Sequence, residues 1–513
     1  MSAPREVELK LECVGPDLSA LARHPLLQGT PEPRLIVSTY FDTADQDLRA
    51  AGLTLRVRRK GERFVQTVKA GAGGVGLFDR AEWEVAVAGE TPDREAFADT
   101  PVRAVLEAAR KPALVPLFST VVMRAEHPIE YGASRILATL DAGRVETPAS
   151  GDTTLSELEL ELESGSAGDL FALAQALAET VPLRLGARSK SERGYALLDG
   201  RSLRPRKAEP VAIPEEARAA DAFRLVALAC LRQLRLNEEV FLAARPAEAL
   251  HQMRVALRRL RSAFSLFKPI LEGDPRAAAL NEEIKRVTAP FGEARNLDVF
   301  LATTLPAEIE RRPDEPGLAA LRERLEAEHA RAYAAVMATL DAPEWRALLI
   351  DLVAWIETGP WREAPGADEP APDFAARVLE RFRRRVKRRG RHLDRLDPEE
   401  RHRVRIAAKK LRYGAEFFAG LYGSKKARKR HKVFGDALSD LQDHLGALND
   451  LATAHTVMAG LAVPGDGAAG PVDGAVAFAA GLTAADKEAE AGTLLEKAAE
   501  AHDDLVDVKP FWR

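Results

Sequence analysis

Glu6-Val-Glu-Leu-Lys-Leu-Glu12 opens the chain with strict alternation. Read as a β-strand, it carries Glu6, Glu8, Lys10 and Glu12 on one face and Val7, Leu9 and Leu11 on the other. The apolar face can pack, whereas the charged face needs solvent or partners. Similar text recurs downstream. Leu53-Thr-Leu-Arg-Val-Arg-Arg-Lys60 sets Arg56, Arg58 and Lys60 opposite Leu53, Leu55 and Val57. Phe64 to Ala70 projects Thr67 and Lys69 together, and Leu77 to Val87 places Arg80, Glu82 and Glu84 on one side. Leu155-Ser-Glu-Leu-Glu-Leu-Glu-Leu-Glu163 is strictly two-sided, with Glu157, Glu159, Glu161 and Glu163 against Leu158, Leu160 and Leu162.

The charge is segregated by strand, acidic at both ends of this region and basic in its middle. An ordinary sandwich points apolar side chains inward and scatters polar ones outside. A barrel whose apolar face is covered by helices puts these charged faces inside instead, making a polar tunnel. Like charges in such a space repel and lose hydration, so a ligand must supply the balance. Arg56, Arg58 and Lys69 suit a polyanion, because a guanidinium fork matches phosphate oxygens and lysine acts as a point charge. Glu6, Glu8, Glu159 and Glu161 suit a hard divalent cation, and Mg2+ prefers carboxylates, water and substrate phosphate together. Metal and phosphate therefore belong to one site.

A chain of 513 residues predicts two or three folded units. Its 46% hydrophobic and 30% charged residues describe a globular protein. The net charge of -4 gives no global bias toward nucleic acid or membrane. Cys13 and Cys230 are too few for a disulfide framework or a cysteine metal cluster, which makes a cytoplasmic setting the default. No basic-then-apolar leader is visible, and no apolar run approaches the roughly 18 residues of a membrane span. Gly71-Ala-Gly-Gly-Val-Gly76 spells G-x-G-x-x-G, but strand text follows where a dinucleotide fingerprint needs a helix, so a flexible hairpin loop is expected.

Glu6-x-Glu8-x-Lys10 resembles the ExExK motif of the CYTH, or triphosphate tunnel metalloenzyme, superfamily. Further matches follow in order: Tyr40-Phe-Asp-Thr43, Arg56-x-Arg58, Lys69, Glu82-x-Glu84, Arg124, Asp141, the Glu157 to Glu161 row and Ser189-Lys190. The resemblance covers about residues 5 to 200 and implies an eight-stranded antiparallel β-barrel that hydrolyses triphosphate-containing substrates with Mg2+ or Mn2+. Carried over residue by residue, it implies metal ligation by Glu6, Glu8, Asp141, Glu159 and Glu161, with the register among Glu157, Glu159 and Glu161 open. It also implies phosphate binding by Lys10, Arg56, Arg58, Lys69, Arg124 and Lys190. Lys10, Glu82 and Glu84 form the candidate catalytic set. Three roles stay open to Glu82 and Glu84: binding a second metal, orienting water, or pairing with the basic row.

Residues 201–214 are basic and proline-spaced, a linker between a domain over 1–200 and another over 215–505. Beyond the linker the periodicity is helical. His251-Gln-Met-Arg-Val-Ala-Leu-Arg-Arg-Leu-Arg261 recurs as His402-Arg-Val-Arg-Ile-Ala-Ala-Lys-Lys-Leu-Arg412, and Phe291-Gly-Glu-Ala-Arg-Asn-Leu-Asp298 is echoed by Leu445-Gly-Ala-Leu-Asn-Asp450. His251, Arg254, Arg258 and Arg261 form one helical stripe beside Leu250, Met253, Leu257, Leu260 and Phe264. His402, Arg405, Lys409 and Arg412 repeat it, with Arg259 and Lys410 as further basic positions. Thr358 to Pro372 and Val463 to Gly474 read as loops.

This half resembles a CHAD domain, which commonly follows CYTH. The resemblance implies an all-α domain of two pseudo-symmetric helical bundles that binds inorganic polyphosphate through these stripes. Asn296 departs from the Asp common at that position, leaving the role of Arg295-Asn-Leu-Asp298 open.

The resulting expectation is a metal-dependent inorganic triphosphatase in the tunnel, fused to a polyphosphate-binding domain and associated with polyphosphate granules in the cytoplasm. The alternatives are a thiamine triphosphatase or adenylate cyclase on the same tunnel, or a non-catalytic polyphosphate-binding protein. Nucleic acid is disfavoured because few aromatics accompany the basic stripes.

Overall fold

The computed structural model describes residues 5–27, 29, 31–71, 74–148, 151–201, 203–461 and 474–513. Residues 72 and 73 of the glycine-rich loop, and all but the last residue of the Val463–Gly474 loop, lie outside the described residues.

The alternating stretches form strands β1 (Arg5–Glu12), β2 (Arg34–Thr43), β3 (Leu53–Lys60), β4 (Arg63–Ala70), β5 (Leu77–Val87), β6 (Leu114–Tyr131), β7 (Ser134–Thr147) and β8 (Gly151–Ser164). Going round the sheet, the order is β5-β4-β3-β2-β6-β7-β8-β1, and pairing of β1 with β5 closes the expected eight-stranded antiparallel barrel. A short β9 (Arg184–Leu185) pairs with Leu11 and Glu12 at the end of β1, beyond the part paired with β5. Strands β6 and β7 run past the segments that alternate cleanly, because Pro116, Pro128 and Gly143 interrupt the pattern without ending the ladder. A Cβ at Gly143 would lie 2.0 Å from the Val121 carbonyl oxygen, so only glycine admits that close approach.

The apolar faces point outward and are covered by helices. Leu9, Leu11, Leu158 and Leu160 are fully buried. Helix Ala167–Ala178 packs against β8 and β1 with Leu170, Phe171, Leu173, Ala174 and Leu177 buried. Each such leucine contributes about 1.5–3 kcal/mol relative to exposure. Across the barrel, Phe41, Leu55, Val57 and Val68 pack with Val102 and Leu106 of helix Pro101–Ala108. With its outside covered in this way, the barrel turns its charged faces inward.

Two compact units are present. The barrel unit comprises Met1–Lys207, Leu231–Ala249 and Asp341–Gly359. Within it, Arg235 Nε donates to the Leu185 carbonyl at 2.9 Å, Arg232 Nη1 to that of Ala187 at 2.6 Å, and Trp345 Nε1 to Glu238 at 3.2 Å. The second unit is helical and comprises Ala208–Cys230, Leu250–Leu340 and Pro360–Arg513. Its core buries the predicted stripe of Leu250, Met253, Leu257, Leu260 and Phe264 together with Phe223, Phe267 and Phe374, the last two stacked at 5.0 Å. Among the described residues no helix is long and apolar enough to cross a membrane.

Candidate functional site

Strand register brings opposite charges face to face inside the barrel. Glu6 lies across from Arg80, Lys10 from Glu159, Lys69 from Glu82 and Arg124 from Asp141. All of these side chains but Asp141 line a partly open cavity of about 150 Å³, in which Glu6, Arg56 and Glu159 all take part. The cavity divides into three charge environments.

In the first, cations and carboxylates balance. Lys10 Nζ bonds Glu157 at 2.9 Å and also contacts Glu159. Lys190 reaches Asp141 at 2.8 Å, Glu159 at 2.9 Å and also Glu157, while Arg124 grips Asp141 with two bonds of 2.8 and 2.6 Å. Burial disfavours every charge here, yet the partners win. Glu157 and Glu159 hold the Lys10 ammonium above its ordinary pKa, and Lys10, Lys190 and Arg124 hold Glu159 well below the carboxylate range. Local structure explains Lys190: Ser189 caps helix Lys190–Leu198 in a capping box with Glu192, so the lysine enters the cavity from the helix's first turn. Gly186 leaves the path for Lys10 open, since a Cβ there would come within 2.6 Å of its Cγ.

In the second environment carboxylates are in surplus. Glu6 receives Lys69 at 2.6 Å and Arg80 at 3.1 Å; against the upward push of burial, these two cations bring its carboxyl down to about 2. Glu8 receives Arg80 at 2.6 Å, and Glu82 receives Lys69 at 3.2 Å. Glu161 forms no ion pair among the described residues. Burial first, then Glu6, Glu8 and Glu82, push its carboxyl up to about 7. Oxygen donors with unbalanced negative charge fit a hard divalent cation. Asp141, Glu157 and Glu159 also bring their oxygens within 4.8 Å of one another, but Lys10, Lys190 and Arg124 already neutralise them. Glu6, Glu8 and Glu161 carry the excess negative charge, with Glu6 and Glu8 held by Lys69 and Arg80, whereas among the described residues the carboxylates whose oxygens converge are Asp141, Glu157 and Glu159.

In the third environment cations are in surplus. Arg56 approaches Glu82 only at 3.7 Å, Arg58 Nε donates to Ser38 at 3.3 Å, and neither Arg58 nor Lys60 has an ion-pair partner among the described residues. Burial, then Arg56 and Arg124, bring the Arg58 guanidinium down to about 10. Glu84 accepts from the Thr67 hydroxyl at 2.9 Å. This end of the cavity calls for an anion.

The repeated basic stripes occupy helices Ala247–Leu266 and Pro398–Phe417. Lys409 lies within electrostatic reach of Arg405, Arg258 and Arg254; burial, then Arg405 and Arg258, lower its ammonium to about 7. His402 Nδ1 lies 3.1 Å from Asn449 Oδ1. The other basic positions face elsewhere. Arg259 is buried against Glu416 at 2.5 Å and over the Phe417 ring, Arg412 donates to Glu416 at 2.9 Å, and Arg261 donates to Asn281 at 3.2 Å. Lys410 lies among Arg385, Arg261 and Arg389. Asp298 accepts from Tyr333 Oη at 2.8 Å and His329 Nε2 at 2.9 Å and pairs with Arg295 at 3.7 Å, which anchors the Arg295-Asn-Leu-Asp298 turn of helix beside Arg254.

The CYTH domain family matches residues 4–195, and the CHAD domain family matches residues 225–459. The chain carries a CYTH domain followed by a CHAD domain. An inorganic triphosphatase of Haemophilus influenzae is 27% identical over 201 residues, which are 38% of this chain and 55% of that protein. The chain thus spans about half the length of this curated relative. The crystal structure of the CHAD domain from the plant Ricinus communis shares 31% identity, covering 58% of this chain and 96% of that one with a TM-score of 0.51. A Hippeastrum protein described as a putative adenylyl cyclase with a dominant triphosphatase activity shares 19% identity over 39% of this chain and 98% of its own, with a TM-score of 0.28.

Within the CYTH domain, every expected tunnel residue except Asp141 and Glu157 lines the cavity directly, and those two hold Lys10, Lys190 and Arg124 from behind. Arg80, placed by the sequence on the face of Glu82 and Glu84 but given no site role there, touches both Glu6 and Glu8. Tyr40, quoted only as part of a motif, also lines the cavity; its ring stacks on Phe118 at 4.7 Å. The CHAD domain divides its basic residues between a convergent group and side chains spent on packing, a division that helical spacing alone does not show.

Proposed function

We propose that the CYTH domain hydrolyses inorganic triphosphate with Mg2+ or Mn2+ and that the CHAD domain binds inorganic polyphosphate. The observation that carries this reading is charge separation inside one cavity, with a carboxylate surplus around Glu161 and a cation surplus around Arg56 and Arg58.

Glu6, Glu8 and Glu161 would hold the metal, which when bound supplies neutralisation of phosphate charge and a lowered pKa for a neighbouring water. Arg56, Arg58 and Lys69 grip the phosphate oxygens. Lys10, Lys190 and Arg124, fixed by Asp141, Glu157 and Glu159, give the far phosphates a rigid cationic wall. Phosphoryl transfer asks chiefly for in-line positioning and charge compensation, so prepaid orientation of these cations is the main contribution of the chain. Glu82 and Glu84 keep the phosphate-binding row in place through Lys69, Arg56 and Thr67.

Inorganic triphosphate is preferred over nucleotide or thiamine triphosphate because the lining is almost wholly charged or hydroxylic. Tyr40 is its one aromatic residue among those described, and its ring is already stacked on Phe118. Phosphate release should therefore be fastest from triphosphate when it, ATP and thiamine triphosphate are compared with Mg2+ or Mn2+. Absence of release from all three would leave the tunnel a binding device.

Polyphosphate binding by the CHAD domain should weaken as pH rises from about 6 to 8. Lys409 loses its proton near pH 7, so at pH 8 binding must take up a proton that is already present at pH 6. The unliganded fold behaves oppositely, gaining stability from about pH 7 up to the ordinary lysine pKa near 10.4, where the unfolded chain binds the additional proton. Titrations at both pH values, repeated with Lys409→Met, check this; a pH effect unchanged in the variant removes Lys409 as its source.

A further inference from the structure

Arg80 stands where the proposed metal site would be, and the balance of charge around it suggests why. Its Nη2 bonds Glu8 at 2.6 Å and its Nε bonds Glu6 at 3.1 Å, from a position directly across the β1–β5 ladder from Glu6. The side chain is 14% exposed and shares the cavity with Arg56, Lys69 and Glu161. Four carboxylates meet here, Glu6, Glu8, Glu82 and Glu161; among the described residues Lys69 and Arg80 pair with three of them at 3.2 Å or less, and Arg56 reaches Glu82 at 3.7 Å. Lys69 divides itself between Glu6 and Glu82, so among the described residues Arg80 is the cation that bridges Glu6 and Glu8.

We propose that Arg80 is the resident counter-cation of the metal site: it occupies Glu6 and Glu8 before a divalent cation binds, yields them to it, and turns its guanidinium to a substrate phosphate oxygen. This rests on the reading of Glu6, Glu8 and Glu161 as metal ligands. The physical reason is exchange of like for like. A guanidinium and a divalent cation both satisfy carboxylate oxygens but cannot share the same lone pairs, and the displaced guanidinium then finds its best available acceptors on phosphate. Such exchange keeps the unloaded cavity from bearing its full carboxylate repulsion, and it delivers a positive charge to the substrate only after the metal is in place. Arg80 is thus a positioning residue in the unloaded protein and a phosphate contact in the loaded one.

The test uses the full chain and direct Mn2+ binding, followed by paramagnetic resonance of free Mn2+ without substrate. Arg80→Gln should bind Mn2+ about tenfold more tightly than wild type, because a competing charge has gone. At saturating Mn2+ its apparent affinity for inorganic triphosphate, read as KM or as competition by a non-hydrolysed analogue, should fall about tenfold. Arg80→Lys, which keeps the charge and loses the fork, should bind Mn2+ close to wild type and guards against a folding defect in the first variant. Mn2+ affinity that is unchanged or weaker in a folded Arg80→Gln protein overturns the proposal. Glu161→Gln separates the two levels: if it binds Mn2+ as tightly as wild type, the metal-site reading itself fails, whereas its loss of binding beside an unresponsive Arg80→Gln removes only the role of Arg80.

Discussion

Glu161→Gln is expected to slow triphosphate hydrolysis by about two to three orders of magnitude, roughly 3–4 kcal/mol of transition-state stabilisation, while leaving the melting temperature unchanged or raised. The two halves of this expectation have one cause. Like Glu84 and Glu126 in the same lining, Glu161 forms no ion pair among the described residues, and its carboxyl is pushed up to about 7, by burial and then by Glu6, Glu8 and Glu82. Neutralising it deprives no lysine or arginine of a partner and relieves repulsion, so the unloaded fold gains. The same change removes the group with the greatest need for a divalent cation. Phosphate release and thermal unfolding measured on one preparation check both halves. Near-normal turnover in Glu161→Gln would move the metal away from this end of the cavity.

The largest expected change in stability comes from Lys10→Met, at about 3–5 kcal/mol. Lys10 and Glu157 are each about 1% exposed, and the ammonium also contacts Glu159. Methionine fills much of the volume but leaves two buried carboxylates sharing Lys190, with Arg124 reaching Glu159 at 3.3 Å. Removing one partner of a buried group costs far more than the intact cluster contributes relative to an apolar replacement. Because Lys190 remains, the lower end of the range is favoured. The deficit should shrink in acid. Glu159 has a folded pKa well below its unfolded value near 4.3, so its contribution is fully present above that value and is lost as pH falls through the folded pKa. Urea unfolding followed from pH 7 down to about pH 3 measures the difference. Adding Glu157→Gln to Lys10→Met should recover part of the loss, and no recovery would mean that packing rather than charge dominates there.

Both variants belong to β-strand faces that are visible in the sequence. Alternation along Glu6–Glu12, Leu53–Lys60 and Leu155–Glu163 is a local property of extended backbone, so the division into an apolar outer face and a charged inner face needs no knowledge of neighbouring strands. The duplicated His251 and His402 stripes were legible for a similar reason, because their spacing follows one helix at a time. Arg80 was harder to find: its strand face was visible, but its bonds to Glu6 and Glu8 cross more than 70 positions of chain. Arg259 illustrates the opposite error. Its place in a basic run suggests a ligand contact, yet Glu416, Phe417 and the surrounding helices enclose it.

What the sequence determined by itself is which residues share a face and which charges are gathered on it, since a period of two is set within a single strand. It could not distinguish Glu157, Glu159 and Glu161. Sliding β8 by two residues against β1 would keep all three pointing inward and merely exchange their partners. Closure of the barrel decides the matter, setting Glu161 opposite Glu8, Glu159 opposite Lys10 and Glu157 opposite Glu12. From that register come a neutralised cluster at one place and unbalanced carboxylates at another, because the energy of a charge depends on what lies across the cavity from it, and only the assembled barrel specifies that.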